Sequence, residues 1–130
     1  MSGGYLLDTN IALFATAAPE MLSRAVRNAL KTGPNVLSVI AFWEVMLKSS
    51  KGKLEVGDPL EWWENSLNDL AATSLPFRPA HVAAIRSLAN IHQDPFDRAL
   101  IAQSMVEGFT LLTSDEVIPK YAGARFRVIG

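Results

Sequence analysis

The chain contains no cysteine, which removes thiolate nucleophiles, zinc–thiolate sites and disulfides in one step and fits a reducing compartment. Histidine is scarce, with two copies, His81 and His92. Two isolated imidazoles do not make a paired-histidine ribonuclease, and surface or helix-end roles are expected for both. No sign of charge dominates, since 12 basic residues face 13 acidic ones. No global field therefore draws in a polyanion, and any nucleic-acid contact must come from a local basic patch. No apolar run approaches the roughly 18–20 residues of a membrane span. The opening Met1-Ser2-Gly3-Gly4 lacks the basic start of a secretory leader. A cytoplasmic protein without membrane association is the expectation. Gly-x-Ser-x-Gly, Walker-type and Gly-x-Gly-x-x-Gly segments are also missing, which disfavours serine hydrolases, NTPases and dinucleotide enzymes.

What is present is a chain of 130 residues, 49% of them hydrophobic, enough for one domain over residues 1–130 with a real core. Tyr5-Leu6-Leu7 reads as a buried strand stopped by Asp8-Thr9-Asn10, with a helix starting at Ile11–Phe14. Pro19 opens a second helix with an apolar stripe of Met21, Leu22, Ala25, Val26, Ala29 and Leu30, ended by Gly33-Pro34. Val36–Ile40 is a β-branched strand, and residues 41–48 continue as helix around Glu44. Asp58-Pro59 starts a helix to about Ala72, with Leu60, Trp63, Leu67 and Leu70 inward. Trp62 falls off that stripe, which suits a partner surface or a second core. A strand at Thr73–Phe77 and a helix at Pro79–Asn90, with Val82, Ile85, Leu88 and Ala89 inward, come next. Asp94-Pro95 then caps a helix ending at Gly108. Strands at Phe109–Thr113 and Arg125–Ile129 finish the chain. Strands alternating with helices over short turns predict an α/β fold, a three-layer α/β/α sandwich on a mainly parallel central sheet.

In such a fold, ligand sites gather beyond the carboxyl ends of the strands. Asp8 directly follows the first strand, Asp115 follows the strand 109–113, Glu44 sits early in a helix after the second strand, and Asp97 lies in the first turn of the Pro95 helix. Each has a plain alternative. Asp8 can close an Asx-turn, Asp97 can stabilise a helix dipole, and Asp115 can cap a short turn. Glu44 is harder to explain away, because it interrupts Phe42-Trp43 and Val45-Met46-Leu47 and a charge there needs a partner. Four carboxylates on one rim repel one another, so they carry raised pKa values or hold a cation. Hard oxygen donors without thiolate or paired imidazole select Mg²⁺, or Mn²⁺, over zinc.

Four segments occur in order: Leu6-Leu7-Asp8-Thr9-Asn10, Ser38-Val39-Ile40-Ala41-Phe42-Trp43-Glu44-Val45, His92-Gln93-Asp94-Pro95-Phe96-Asp97-Arg98-Ala99-Leu100-Ile101-Ala102-Gln103, and Leu112-Thr113-Ser114-Asp115. Together they resemble a PIN domain (PIN-like fold) of the VapC toxin type, and the resemblance runs nearly end to end. It implies a Mg²⁺-dependent endoribonuclease that hydrolyses RNA with metal-activated water, leaving 5′-phosphate and 3′-hydroxyl ends. It also implies a homodimer held inactive by a cognate VapB-type antitoxin in a hetero-oligomer. Matched motif to motif, Asp8, Glu44, Asp97 and Asp115 are the catalytic and metal-binding acids. Asp94 matches an acid common in this subgroup, with a capping role beside it. Glu116 is the one acid available where some relatives carry a further one, and Asn10 stands where many have histidine.

Among the other polar residues, Asn10, Lys48, Arg98 and Thr113 are the candidates for contacting substrate, with Thr9 and Ser38 able to hydrogen-bond a carboxylate or water. Lys48, Lys51 and Lys53 form the most basic loop and can steer phosphates or simply be solvated. The RNA is left open between tRNA, rRNA and mRNA. A catalytically silent RNA- or antitoxin-binding module and a metal-dependent DNA or flap nuclease are the rival readings.

Overall fold

The computed structural model describes residues 3–90, 92–123 and 125–130; Met1 and Ser2, part of the stretch read as leaderless, lie outside them. Among the described residues, five strands alternate with six helices: β1 (Tyr5–Leu7), α1 (Thr9–Ala17), α2 (Arg24–Thr32), β2 (Asn35–Ser38), α3 (Val39–Ser50), α4 (Pro59–Asp69), β3 (Ala72–Leu75), α5 (Pro79–Ile85), α6 (Pro95–Glu107), β4 (Thr110–Leu112) and β5 (Arg127–Ile129). All strand pairs are parallel, in the order β3-β2-β1-β4-β5. The pleat sends Leu7, Leu37 and Leu112 to one face and Leu6, Val36 and Leu111 to the other. Helices α1, α2 and α4 cover the first face through Ile11, Val26 and Trp63, while α5 and α6 cover the second through Ile85, Leu100 and Ile101. Helix α3 feeds both, with Ala41 and Val45 on one side and Ile40 on the other. This is the three-layer sandwich expected from the alternation of elements. Burying Leu6, Leu7, Leu111 and Leu112 completely contributes about 2 kcal/mol each.

Several boundaries differ from the sequence expectation, each for a local reason. The helix opened by Pro19 is a 3-10 turn at Pro19–Met21, and α2 starts afresh because the Ser23 hydroxyl caps Val26 N–H at 3.1 Å. Met21 and Ala25 are consequently exposed. The strand expected to reach Ile40 stops at Ser38, whose Oγ accepts the Ile40 N–H at 3.0 Å and starts α3 on two β-branched residues. In α4, Trp63 and Leu67, with Leu70 at its end, pack on the core as expected, but Leu60, in the first turn, is 50% exposed, whereas Trp62 is 9% exposed and packs in the core with Trp63. Trp62 is therefore no partner surface of its own. β3 begins one residue early and ends at Leu75, and α4 stops at Asp69. Helix α5 ends at Ile85 rather than Asn90, and Val82 faces outward. Past Ile85 the chain continues only as i→i+3 turns, with Ser87 and Leu88 N–H donating to Ala84 and Ile85 O, and the Arg98 guanidinium also donates to the carbonyls of Ile85, Ala89 and His92. Helix α6 keeps its expected limits: Asp94 caps Phe96 and Asp97 N–H, and Gly108 at φ 76° closes it in the left-handed region.

Candidate active site

The strand order places the topological switch between β1 and β4, since the chain proceeds from β1 to β2 and β3 on one side and returns to β4 and β5 on the other. Asp8 leaves β1 at that switch, and Thr113, Ser114 and Asp115 leave β4 beside it. Asp8 is 3% exposed. Its Oδ1 accepts the Ile11 N–H at 2.8 Å, which caps α1, and its Oδ2 accepts the Thr113 hydroxyl. Thr113 Oγ1 in turn accepts the Asp115 N–H at 3.0 Å, so one hydroxyl sets the relation between two of the acids. Asp115 Oδ1 accepts the Val117 N–H at 2.6 Å, leaving Oδ2 toward the other acids.

Glu44 comes in from α3 and is 5% exposed. Thr9 donates to its Oε1 at 2.6 Å and Lys48 Nζ lies 2.7 Å from its Oε2. These are the partners that a carboxylate within an apolar run requires. Asp97 projects from the first turn of α6, and His92 Nε2 lies 2.8 Å from Asp97 Oδ2 and 3.4 Å from Asp115 Oδ2, in contact without hydrogen-bond alignment. His92, Asp97 and Asp115 each present a ligand atom within 4.8 Å of the others.

The charges are felt. Burial pushes the Asp8 carboxyl up to about 6 against the lowering effect of its Thr113 and Ile11 hydrogen bonds, and Glu44 and Asp115 add repulsion. Burial likewise pushes Asp97 up to about 7, helped by Asp94, Asp8 and Glu44 and opposed by His92. Lys48 is raised, first through its hydrogen bond to Glu44. Oxygen donors that resist ionisation, first because they are buried and then because of one another, suit a hard divalent cation, which would relieve the buried charge and remove the repulsion.

Against models of known families, residues 5–124 match the PIN domain. The chain belongs to the PIN domain family. This PIN domain is 23% identical over 111 residues to Ribonuclease VapC22 of Mycobacterium tuberculosis, a stretch covering 85% of each chain. Its fold resembles that of VapBC2 from Rickettsia felis, solved bound to a promoter DNA fragment, with a TM-score of 0.68, 15% identity and 96% of each chain covered. It also resembles FitAcB from Neisseria gonorrhoeae, with a TM-score of 0.64 and 24% identity over 97% of this chain and 96% of that one.

The remaining residues singled out in the sequence fall in different places on this PIN domain. Thr113 and Lys48 sit at the acid cluster, each holding one of its carboxylates. Asn10 is exposed on the neighbouring lip, lining an apolar groove of about 580 Å³ with Leu13, Phe14, Leu54, Val56 and Trp62. Arg98 is committed to backbone carbonyls and to the Tyr121 hydroxyl at 3.2 Å, a structural post rather than a free phosphate-binding arm. Asp94 caps α6 and adds repulsion to Asp97, and Glu116 is exposed.

His81 has the helix-end role expected, capping the start of α5, but from a buried position, whereas His92 departs from expectation. His81 is fully buried: its Nδ1 accepts the Arg78 N–H at 2.9 Å and its Nε2 meets Glu107 Oε2 at 2.8 Å. His92 stands among the acids, its backbone N–H anchored at 2.7 Å on the Tyr121 hydroxyl. The available signal was its place two residues before a helix cap whose first turn carries Asp97.

Proposed function

We propose that this PIN domain is a VapC-type endoribonuclease toxin that depends on a divalent cation, Mg²⁺ or Mn²⁺, and is held inactive by a VapB-type antitoxin. The observation that carries the reading is the convergence of Asp8, Glu44, Asp97 and Asp115 at the switch point of the sheet, with Asp8 and Asp97 raised toward neutrality. A pure binding module has no use for buried, mutually repelling carboxylates. The cation would be held by Asp8, Asp97 and Asp115, with Glu44 at its edge. When bound, it supplies activation of a water and neutralisation of a phosphate oxygen.

The protein's own residues do the rest. Thr113 and the Ile11 N–H fix the rotamer of Asp8 and leave lone pairs of both oxygens for the cation. Thr9 and Lys48 hold Glu44, and the Lys48 ammonium, about half exposed, is placed to meet an incoming phosphate. His92 Nε2, between Asp97 and Asp115, can hold a proton where charge changes during hydrolysis. No side chain needs to act as a nucleophile. The name Ribonuclease VapC22 and the toxin–antitoxin complexes with the same fold support RNA as substrate and an antitoxin as partner. The apolar groove beside Asn10 offers such a partner a place close to the acids. Among the described residues no helix is long and apolar enough to cross a membrane.

Antitoxin-free protein incubated with total RNA, with Mg²⁺ or with EDTA and beside Asp97→Asn, tests the reading. Discrete fragments that require both Mg²⁺ and Asp97 are expected, each ending in a 3′-hydroxyl. Intact RNA from a folded, Mn²⁺-binding protein would point to the silent module, and cleavage of DNA alone to the rival nuclease.

A further inference from the structure

Helices α3 and α6 bring Glu44 and Asp97 to the site, yet they belong to different crossovers, so something must set the angle between them. Besides the apolar packing of Ile40 with the Ala99 and Leu100 cluster, two specific contacts join them. Beside the acids, Trp43 meets Phe96 edge to face at a centroid distance of 5.1 Å. Trp43 is 54% exposed, so this contact is open to water on one side. Away from the acids, Ser38 Oγ donates to Gln103 Oε1 at 2.6 Å, and both side chains are fully buried. The same Ser38 Oγ caps α3 by accepting the Ile40 N–H. The Gln103 amide donates to Pro76 O at 3.2 Å and lies 3.3 Å from His81 Nδ1, while His81 Nε2 reaches Glu107 on the next turn of α6.

We propose that Gln103 is the positioning residue of the acid cluster: through Ser38 it fixes the start of α3 against α6, and thereby the separation of Glu44 from Asp97. Gln103 lies six residues after Asp97, and Ser38 six residues before Glu44, so each acid stands about 9 Å of helix rise from the joint. A rotation of roughly 5° at that joint moves a carboxylate by about 0.8 Å, more than the near-ideal Mg²⁺ shell tolerates. The aromatic pair and the packing of Ile40 are adaptable contacts; the buried Ser38–Gln103 hydrogen bond is the directional one and removes the angular freedom they leave. A purely stabilising role would require only that Gln103 be satisfied. Here both ends of its amide are spent on different elements, Ser38 at the start of α3 and Pro76 just past β3.

The inference rests on the acid cluster being a cation site, and the test separates the two. Mn²⁺ affinity of the purified, RNA-free protein is read from the free-ion EPR signal, so no turnover is involved. Asp97→Asn reports on the site itself and should lose affinity. Gln103→Met keeps the volume and removes both hydrogen bonds; a loss of about tenfold in affinity is expected, within the range for residues behind a ligand shell. Val26→Ala, in the core on the opposite face of the sheet, serves as a control of comparable destabilisation and should leave affinity unchanged. Gln103→Asn, one methylene shorter, is the second variant should Met not fold, and should also weaken binding. Ser38→Ala combined with Gln103→Met should cost little more than either alone. Unchanged affinity in Gln103→Met while Asp97→Asn binds weakly would overturn the inference, as would full additivity with Ser38→Ala. Unchanged affinity in Asp97→Asn would overturn the cation-site reading instead.

Discussion

Replacing Asp97 by Asn should stabilise the metal-free protein while abolishing its activity. The carboxyl moves from an ordinary 3.8 to about 7 on folding, an interval worth at most about 4 kcal/mol at about 1.4 kcal/mol per pH unit. Asp97 is still 16% exposed, so water screens part of the repulsion, and the amide gives up its charge contact with His92; about 2 kcal/mol remains. For a chain of this length that is roughly 7 °C in melting temperature. The sign follows from proton counting. The folded carboxyl keeps its proton to higher pH than the unfolded one, so the folded state binds more protons between about pH 4 and pH 7 and the wild type loses stability as pH rises through that window. Below it, both states are protonated, and the variant and wild type should melt together. Above it, the gain should be constant. The assay is a series of thermal melts from pH 4 to pH 8 in EDTA, repeated with saturating Mg²⁺, which should raise the wild type and close the gap. A variant that melts below the wild type at pH 8 in EDTA, or with the same offset at pH 4 as at pH 8, would refute the reasoning.

Thr113→Val removes the hydroxyl that lowers the Asp8 carboxyl and positions Asp115. It should cost about 1–2 kcal/mol in urea unfolding and move the acid limb of the cleavage pH profile upward. An unchanged acid limb would mean that Asp8 ionisation does not limit activity. Trp62→Ala should cost about 3 kcal/mol in the same unfolding assay, as a buried core residue does; a loss under about 1 kcal/mol would return Trp62 to the surface. Arg98→Lys leaves one ammonium where a planar fork serves the carbonyls of Ile85, Ala89 and His92. It should lower the melting temperature without weakening RNA binding by the folded protein, and the reverse pattern would make Arg98 a phosphate contact.

The parts of this molecule that were legible in the sequence are those governed by local rules. Asp94-Pro95 and Gly108 mark α6 to the residue, because a cap, a fixed φ and a left-handed stop act within one turn. Strand–helix alternation was enough for the sandwich, and the rule that sites lie past the strand ends brought Asp8, Glu44, Asp97 and Asp115 together before any geometry was known. What escaped depends on contacts between distant residues. Leu60 and Trp62 exchange roles because the groove beside α1, not helical periodicity, decides which side chain of α4 has somewhere to go. The turns that follow α5 are pinned by Arg98, thirteen residues after Ile85. His81 and His92 look solitary in the sequence, and their partners Glu107, Gln103 and Asp115 come from elsewhere in the fold.

The bond between Thr113 and Asp8 spans 105 residues, and β1 lies in the middle of the sheet between β2 and β4. A chain emerging from the ribosome therefore exposes Asp8 first and must wait for the β4 segment before that carboxylate has its orienting hydroxyl or its neighbour Asp115. Glu44 and Asp97 are already synthesised by then, but the sheet that faces them together lacks its fourth and fifth strands. Non-local pairings of this kind form late, since loop closure precedes their reward. Orientation of Asp8 is thus a late event: whatever the acid cluster binds meets its full set of carboxylates only after β4 has docked against β1.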